Sequence, residues 1–338
     1  MSDAKAIFMA AVQGEIKDRA AVGCVNQTAT YAQMDATGAR WPEANYDAEV
    51  MSKLALGAAD ILGWDAVRVP FCQTIEEEAL GCSLKPGDDK NLPSIAEHAF
   101  NPKDTPNPTF PEDFMQRGRV QMLIKAVELT KKAVGDSRAI IGGVIGPFTI
   151  VSELIGIKAC LRCVLKSQDA LTPYLEVATK AATELANALV KAGADVICIE
   201  DMMASVDMIS PTNYKTLALP WEQKMIKDID APVILHICGK VDMIVEGMID
   251  SGAAGLSFEP KTDIEAVKKA VAASGKKVGL IGGIDTIEDL FHGDADMVKN
   301  STKKALADGY HIIAPGCSVP PATSTEKLKA MMDTVLAK

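Results

Sequence analysis

Short apolar runs alternate with longer amphipathic stretches along most of this chain. The runs are rich in Val, Ile, Leu and Ala, as parallel strands are when helices cover both faces of their sheet. They lie at Ala21–Val25, Ala66–Phe71, Ala139–Val144, Asp195–Ile199, Val233–Ile237, Gly255–Phe258, Val278–Ile281 and Tyr310–Ala314. Helical spacing occurs at Asp47–Leu62, Phe114–Ala133, Pro173–Ala192, Thr212–Ile229, Ile264–Ala273 and Met297–Ala307. Eight such units predict a closed (β/α)8 TIM barrel.

The alternative to a barrel is an open, doubly wound sheet. Such a sheet normally has a glycine-rich phosphate loop after its first strand, and here that position reads CVNQTATYAQM, without glycine. We therefore favour the barrel. The first residues, MSDAKAIFMAAVQGEIKDR, predict an amphipathic N-terminal helix outside it. We predict a single domain over residues 1–338, with a proline-rich insertion around 83–111.

Composition narrows the class of protein. Hydrophobic residues make up 48% of the chain but aromatic residues only 5%, so the core must be mainly aliphatic. The net charge of −10 comes without a Lys/Arg cluster, which argues against nucleic acid and anionic membranes as partners. No run approaches the ~20 apolar residues of a membrane span, and the N-terminus does not resemble a signal peptide. We expect a cytoplasmic enzyme.

Three potential metal ligands fall at predicted strand ends. His236 and Cys238 lie two residues apart and therefore share one face of their strand, and Cys317 follows the last strand. Because catalytic groups of such barrels gather where strands end, the three side chains should converge. One imidazole and two thiolates form a zinc set with an open fourth position. Glu259, after the sixth strand, is a candidate fourth ligand. From spacing alone, buried packing residues explain these positions equally well.

The remaining cysteines carry weaker signals. The chain has eight cysteines in no dense framework, which indicates reduced thiols. Cys160 and Cys163 form a CxxC pair inside the predicted helical stretch IGIKACLRCVL. A redox or metal pair is one interpretation, but a single CxxC in an amphipathic helix favours packing. Other strand ends place polar groups at the predicted mouth, namely Asn26, Gln27, Arg68, Asp201 and Asp285.

The segments HICGK, LSFEPK and IAPGC resemble the zinc-binding segments of the methylcobamide:coenzyme M methyltransferases of methanogenic archaea. These enzymes belong to the uroporphyrinogen decarboxylase superfamily of α/β barrels. The likeness runs nearly end to end, through NQTATYAQMDATGARWPEA, AVRVPFCQTIEEEALGC, QRGRV and IIGGVIGPFT. LSFEPK and RVPFC match the version used with methanol better than the methylamine version.

The resemblance implies a zinc-dependent methyltransferase of methanogenesis with a uroporphyrinogen decarboxylase-like barrel. His236, Cys238 and Cys317 would be the zinc ligands, and Glu259 an exchangeable fourth. The enzyme would move a methyl group from a methylated corrinoid to the thiol of coenzyme M, whose sulfonate needs a donor. Asn26, Gln27 and Arg68 are candidate donors, although Arg68 is equally a candidate for a structural ion pair. Asp201 and Asp285 are further substrate-binding candidates.

Three observations refine this expectation. The segment CVNQTATYAQM has no Arg or Lys, so the cationic clamp for a porphyrin substrate is missing and we reject decarboxylase activity. No DxHxxG motif occurs, so the corrinoid should arrive on a partner protein. The family commonly has Asp-Pro after the fourth strand, whereas here Asp201 precedes Met202, which leaves the methyl acceptor open. A pterin, tetrahydrofolate or tetrahydromethanopterin, is the alternative acceptor, and a catalytically inactive barrel is the non-enzymatic alternative.

Overall fold

Eight parallel strands form the centre of the protein in a computed structural model that describes residues 3–337. The sheet has the order β1-β10-β9-β8-β7-β6-β5-β2, and β3 and β4 form a separate antiparallel pair. The strands are β1 Ala21–Val22, β2 Ala66–Val69, β3 Ser83–Lys85, β4 Ser94–Glu97, β5 Ala139–Ile145, β6 Val196–Glu200, β7 Val233–His236, β8 Gly255–Ser257, β9 Gly279–Ile284 and β10 Ile312–Pro315. The predicted barrel is confirmed, since the eight strands form a nearly closed ring with helices around it.

The helices alternate with the strands and cover them. They are α1 Ala4–Val12, α2 Tyr31–Thr37, α3 Ala48–Asp60, α4 Ile75–Ala79, α5 Val120–Val134, α6 Pro147–Ile155, α7 Ile157–Lys166, α8 Thr172–Ala192, α9 Pro211–Asn213, α10 Leu219–Lys227, α11 Val245–Asp250, α12 Ile264–Ser274, α13 Ala295–Asp308 and α14 Thr325–Leu336. Two π-helical segments occupy Tyr214–Ala218 and Thr286–His292. Within residues 3–337, no helix has the length and apolar character needed to cross a membrane.

The predicted N-terminal helix is α1, which closes the bottom of the barrel. Its apolar residues Ile7, Phe8, Ala11 and Val12 are buried in one cluster with inward-facing strand residues. The cluster contains small and branched side chains from seven of the eight barrel strands, so the barrel interior under α1 is packed. The predicted helix starts at Met1, and Met1 and Ser2 lie outside the described residues. The other end of the barrel therefore carries the mouth.

Side chains close the seam between β1 and β2. The backbone N–H of Asp65 donates to the carbonyl of Val22 at 2.8 Å, and the Val22 N–H donates to the Asp65 carboxylate at 2.8 Å. Nearer the mouth, Arg68 Nε donates to the Val25 carbonyl at 2.7 Å. The ring is thus held shut by one carboxylate at the bottom and one guanidinium at the top.

The proline-rich stretch 83–111 differs from the expected loop, because it contains the β3–β4 hairpin. These strands are three and four residues long and their side chains are largely exposed, so they lack the apolar pattern by which the barrel strands were predicted. The first predicted strand is shorter than expected, since only Ala21 and Val22 pair with β10.

A glycine on β5 makes room for the guanidinium at the seam. A methyl group at Gly143 would collide with the end of the Arg68 side chain. We expect Gly143→Ala to lower the free energy of unfolding by about 1–3 kcal/mol, the usual cost of overpacking a filled core. Urea unfolding measures this. Gly57→Ala is the matched control, because a methyl group there has 3.4 Å to Thr37 and the residue lies within helix α3. The control should be neutral or stabilising, and equal losses in both variants would contradict the packing argument.

Candidate functional site

The three predicted ligands His236, Cys238 and Cys317 meet at the barrel mouth. Strand β7 ends at His236, Cys238 lies two residues beyond it, and Cys317 lies two residues beyond the end of β10. His236 Nε2 is 3.2 Å from Cys238 Sγ, and the two sulfur atoms are 3.6 Å apart. Within the described part of the chain, these side chains form a group whose ligand atoms all lie within 4.8 Å of one another. A metal ion could therefore contact all three.

The imidazole of His236 is oriented by a serine on the neighbouring strand. Ser257 pairs in register with His236, and its hydroxyl lies 3.0 Å from His236 Nδ1. Both residues are fully buried. A partner on Nδ1 fixes the ring and leaves Nε2 facing the two sulfur atoms, which is the arrangement that metal-binding histidines generally have.

The two thiols differ in acidity. The hydrogen bond with Cys238 lowers the pKa of the Cys317 thiol to about 4, and contact with the His236 ring acts in the same direction. The same hydrogen bond, together with burial, raises the pKa of Cys238. Burial lowers the pKa of His236, but contact with Cys317 and the charges of Cys317, Glu200 and Glu259 together outweigh this effect, so the net shift is upward. Cys317 is therefore the more acidic of the two thiols, and thiolate is the form that binds metals.

Glu259 lies beside this group without belonging to it in the described structure. Its Oε1 accepts a hydrogen bond of 2.6 Å from the N–H of Gly239, the residue after Cys238. Its other oxygen pairs with Lys261 Nζ at 3.3 Å. Glu259 therefore fixes the segment that carries Cys238, and its carboxylate is not among the grouped ligand atoms.

A buried ion pair occupies the floor of the mouth. Arg68 and Glu200 are 2% and 0% exposed, and the Arg68 guanidinium binds the Glu200 carboxylate. The guanidinium also donates to the carbonyls of Val25 and Pro70, while Glu200 accepts from the amides of Gln27 and Gln73. Each of the three guanidinium nitrogens of Arg68 thus has a partner within the protein, which favours the structural ion pair over a sulfonate contact.

Two further substrate-binding candidates, Asp201 and Asp285, have carboxylates that lie apart from the ligand group and from each other. Asp201 is fully buried and accepts hydrogen bonds from the N–H groups of Phe148 and Thr149 at the start of α6, and burial raises its pKa to about 6. Asp285 caps the π-helix Thr286–His292 and lines a cavity of about 230 Å³, none of whose lining residues is His236, Cys238 or Cys317. Neither carboxylate contacts the ligand group.

Asn26 and Gln27 lie in the turn after β1, beside the Cys317 segment. Asn26 is 1% exposed, and its Oδ1 has no hydrogen-bond partner within residues 3–337. The Gln27 side chain connects Glu200 to Ser318, the residue after Cys317. Gln27 thus contacts the two residues that follow Cys317, whereas Asp201 contacts the ligand group's His236 only through its backbone N–H, which donates to the His236 carbonyl at 3.0 Å.

Three residues whose side chains contact the site were not predicted from the sequence, namely Ser257, Gln73 and Ser318. Strand periodicity could have indicated Ser257, because it lies two residues before Glu259 and on the strand that follows the strand of His236. Gln73 and Ser318 lie in irregular segments, where side-chain direction follows no period.

Comparison with known proteins adds an independent line of evidence. The sequence profile of the uroporphyrinogen decarboxylase (URO-D) family matches residues 3–337. The chain is 37% identical over 328 residues to the methylcobamide:CoM methyltransferase MtaA of Methanosarcina barkeri, covering 97% of this chain and 96% of the relative. It is 33% identical over 320 residues to the methylcobamide:CoM methyltransferase MtbA of Methanosarcina acetivorans, covering 94% and 92%. A solved methyltransferase from Methanosarcina mazei superposes with a TM-score of 0.94 at 36% identity, covering 99% and 98%.

Proposed function

The chain belongs to the uroporphyrinogen decarboxylase family and is similar over nearly its whole length to methylcobamide:CoM methyltransferases, and we propose that it transfers a methyl group from a methylated corrinoid to the thiol of coenzyme M. This reaction belongs to methanogenesis from methyl compounds. The observation that carries the proposal is the convergence of His236, Cys238 and Cys317 at the open end of the barrel. A thiol substrate would approach this group from the side of Cys238 and Cys317, because these two residues are half-buried whereas His236 is buried.

The donor set fits zinc. A tetrahedral zinc ion has bonds of about 2.0–2.1 Å to nitrogen and about 2.3 Å to sulfur, which separates its ligand atoms by roughly 3.5–3.8 Å. The separations of 3.2 and 3.6 Å within the group are close to these values. Zinc bound there supplies a Lewis acid that favours the deprotonated form of a thiol. Three protein ligands leave one position for the substrate.

The chain's own residues prepare this site for a thiol. Ser257 presents His236 Nε2 to the cluster, and Glu259 holds the Cys238 segment through Gly239. Glu259 remains our proposed exchangeable fourth ligand, and its carboxylate would have to turn from Gly239 or Lys261 to take that place. Cys238 and Cys317 are half-buried whereas His236 is buried, so the sulfur side of the cluster faces the mouth.

We further propose that the corrinoid is delivered by a separate protein. The chain has no DxHxxG segment to ligate cobalt. Because α1 closes the opposite end of the barrel, donor and acceptor would both have to approach through the mouth. Positioning a methyl group and a thiolate in line is the main task left to the protein.

A visible-light assay tests the function. Purified protein should contain about one zinc ion, as expected for one three-ligand site. Mixed with methylcobalamin and coenzyme M, it should convert the methylcobalamin spectrum to that of the demethylated corrinoid. Tetrahydrofolate and tetrahydromethanopterin are run as parallel acceptors. Turnover with a pterin alone would overturn the coenzyme M assignment, and full activity in metal-free protein would overturn the zinc assignment.

A further inference from the structure

The segment that carries Cys317 lacks regular secondary structure. Strand β10 ends at Pro315, and residues 316–319 continue without helix or strand pairing. A ligand on such a segment needs other contacts to stay in place, since metal sites depend on the groups that orient their ligands. His236 has Ser257 for this purpose, and the Cys238 segment has Glu259.

Gln27 makes the two hydrogen bonds to the residues that follow Cys317, while the Gly316 N–H, on the other side, donates to the Ile284 carbonyl at 2.8 Å and the Cys24 thiol lies 4.0 Å from the Cys317 carbonyl. The hydroxyl of Ser318 donates to Gln27 Oε1, and the Val319 N–H donates to the Gln27 backbone carbonyl at 2.9 Å. Two hydrogen bonds therefore join the turn after β1 to the two residues that follow Cys317. Gln27 is 5% exposed, so water does not compete strongly for these bonds.

The orientation of the Gln27 amide is set by the ion pair beneath it. Gln27 Nε2 donates to Glu200 Oε2 at 3.3 Å, and Glu200 is held by Arg68 and Gln73. A carboxylate only accepts hydrogen bonds, so the NH₂ group of the amide must face Glu200. The carbonyl oxygen then faces Ser318, where an acceptor is needed. Glutamine satisfies both sides, whereas a glutamate would place a second negative charge against Glu200.

We infer that Gln27 is a positioning residue for the metal centre, which holds the Cys317 segment at the distance from Cys238 that the metal requires. The Arg68–Glu200 pair acts through it, by fixing which end of the amide faces the segment. This inference rests on the proposed zinc site. It assigns Gln27 to the protein scaffold of the metal, in place of a direct contact with the sulfonate of the substrate.

Metal binding distinguishes these two roles. In Gln27→Ala we expect zinc affinity, measured by competition with a chelator, to fall about 10- to 100-fold, as happens when groups that orient metal ligands are removed. The absorption bands of the cobalt(II)-substituted protein should shift, since they report the ligand geometry. Gln33→Ala is the matched control: it removes a buried glutamine that caps α2 and has no contact with the cluster. Its zinc affinity and cobalt spectrum should stay as in the wild type.

Substitution of Ser318 is a second test of the inference, and it leaves the Arg68–Glu200 ion pair and Gln27 unchanged. Ser318→Ala should weaken zinc binding in the same direction, and Ser318→Thr, which keeps the hydroxyl, should restore it. A Gln27→Ala protein that binds zinc within about two-fold of the wild type with an unchanged cobalt spectrum, but with a raised KM for coenzyme M, would overturn the inference in favour of substrate binding. If the wild-type protein binds no zinc, the proposed zinc site is wrong, and this result is distinguishable from any effect of Gln27→Ala.

Discussion

Replacing Cys317 with alanine is expected to remove stoichiometric zinc and to lower the rate of methyl transfer to coenzyme M by more than about 100-fold. The lower bound comes from the 10- to 100-fold losses seen when only the groups around a metal ligand are removed. Cys317 is one of the two sulfur ligands of the proposed zinc set, and its Sγ lies 3.6 Å from Cys238 Sγ. Alanine leaves only His236 and Cys238 as permanent ligands beside the exchangeable Glu259, whereas catalytic zinc sites normally keep three permanent protein ligands.

The matched control is Cys163→Ala. Cys163 is also half-buried, but it lies on α7, outside the ligand group. Zinc content by elemental analysis and the rate of methylcobalamin demethylation should both stay at the wild-type level in this variant. A Cys317→Ala protein that retains one zinc ion and more than a tenth of the activity would contradict the ligand assignment. Loss of zinc in Cys163→Ala instead would point to the CxxC pair as the metal site.

The three ligand candidates could be predicted from the sequence because the alternation of side chains along a strand fixes which face each side chain points to. His236 and Cys238 had to share a face, and the end of the last strand had to lie near the same mouth once eight β/α units were recognised. Ser257, which ends β8 beside His236, and Glu259, two residues beyond it, obey the same period. What remained undecided was whether the three side chains bind a metal, because buried packing residues show the same spacing.

The contacts that hold the site together were beyond sequence reasoning. Ser318 and Gln73 lie in irregular segments, and Gln27 in a turn, where a side chain's direction depends on the packing of distant parts of the chain. The hairpin in the stretch 83–111 was missed because its short, exposed strands bury little apolar surface. Arg68 was visible as a charge inside an apolar run, but its partner Glu200 lies 132 residues away. Only the closed ring brings the two together.

Removing the Arg68 side chain tests whether this residue belongs to the fold or to the substrate site. In Arg68→Met, Glu200 keeps its charge in a fully buried position without a cation. Breaking a buried pair in this way costs about 3–5 kcal/mol, because the remaining charge is uncompensated. We expect the free energy of unfolding in urea to fall by that amount. The surface pair Arg117–Asp113 is the control, since both side chains are substantially exposed and Arg117→Met should cost at most about 1 kcal/mol.

The double variant Arg68→Met with Glu200→Gln separates the two roles. Glutamine at position 200 removes the uncompensated charge and keeps an acceptor for Gln27, so much of the lost stability should return. Zinc affinity should fall in this variant, because an amide at position 200 no longer dictates which end of the Gln27 amide faces Ser318. In the zinc-loaded double variant, however, the KM for coenzyme M should stay within a few-fold of the wild-type value, because the guanidinium is committed to Val25, Pro70 and Glu200. A stable double variant whose KM rises 100-fold with zinc still bound would show that Arg68 binds the sulfonate. We expect the unchanged KM, because Arg68 is 2% exposed and a substrate group could reach its guanidinium only by displacing Glu200.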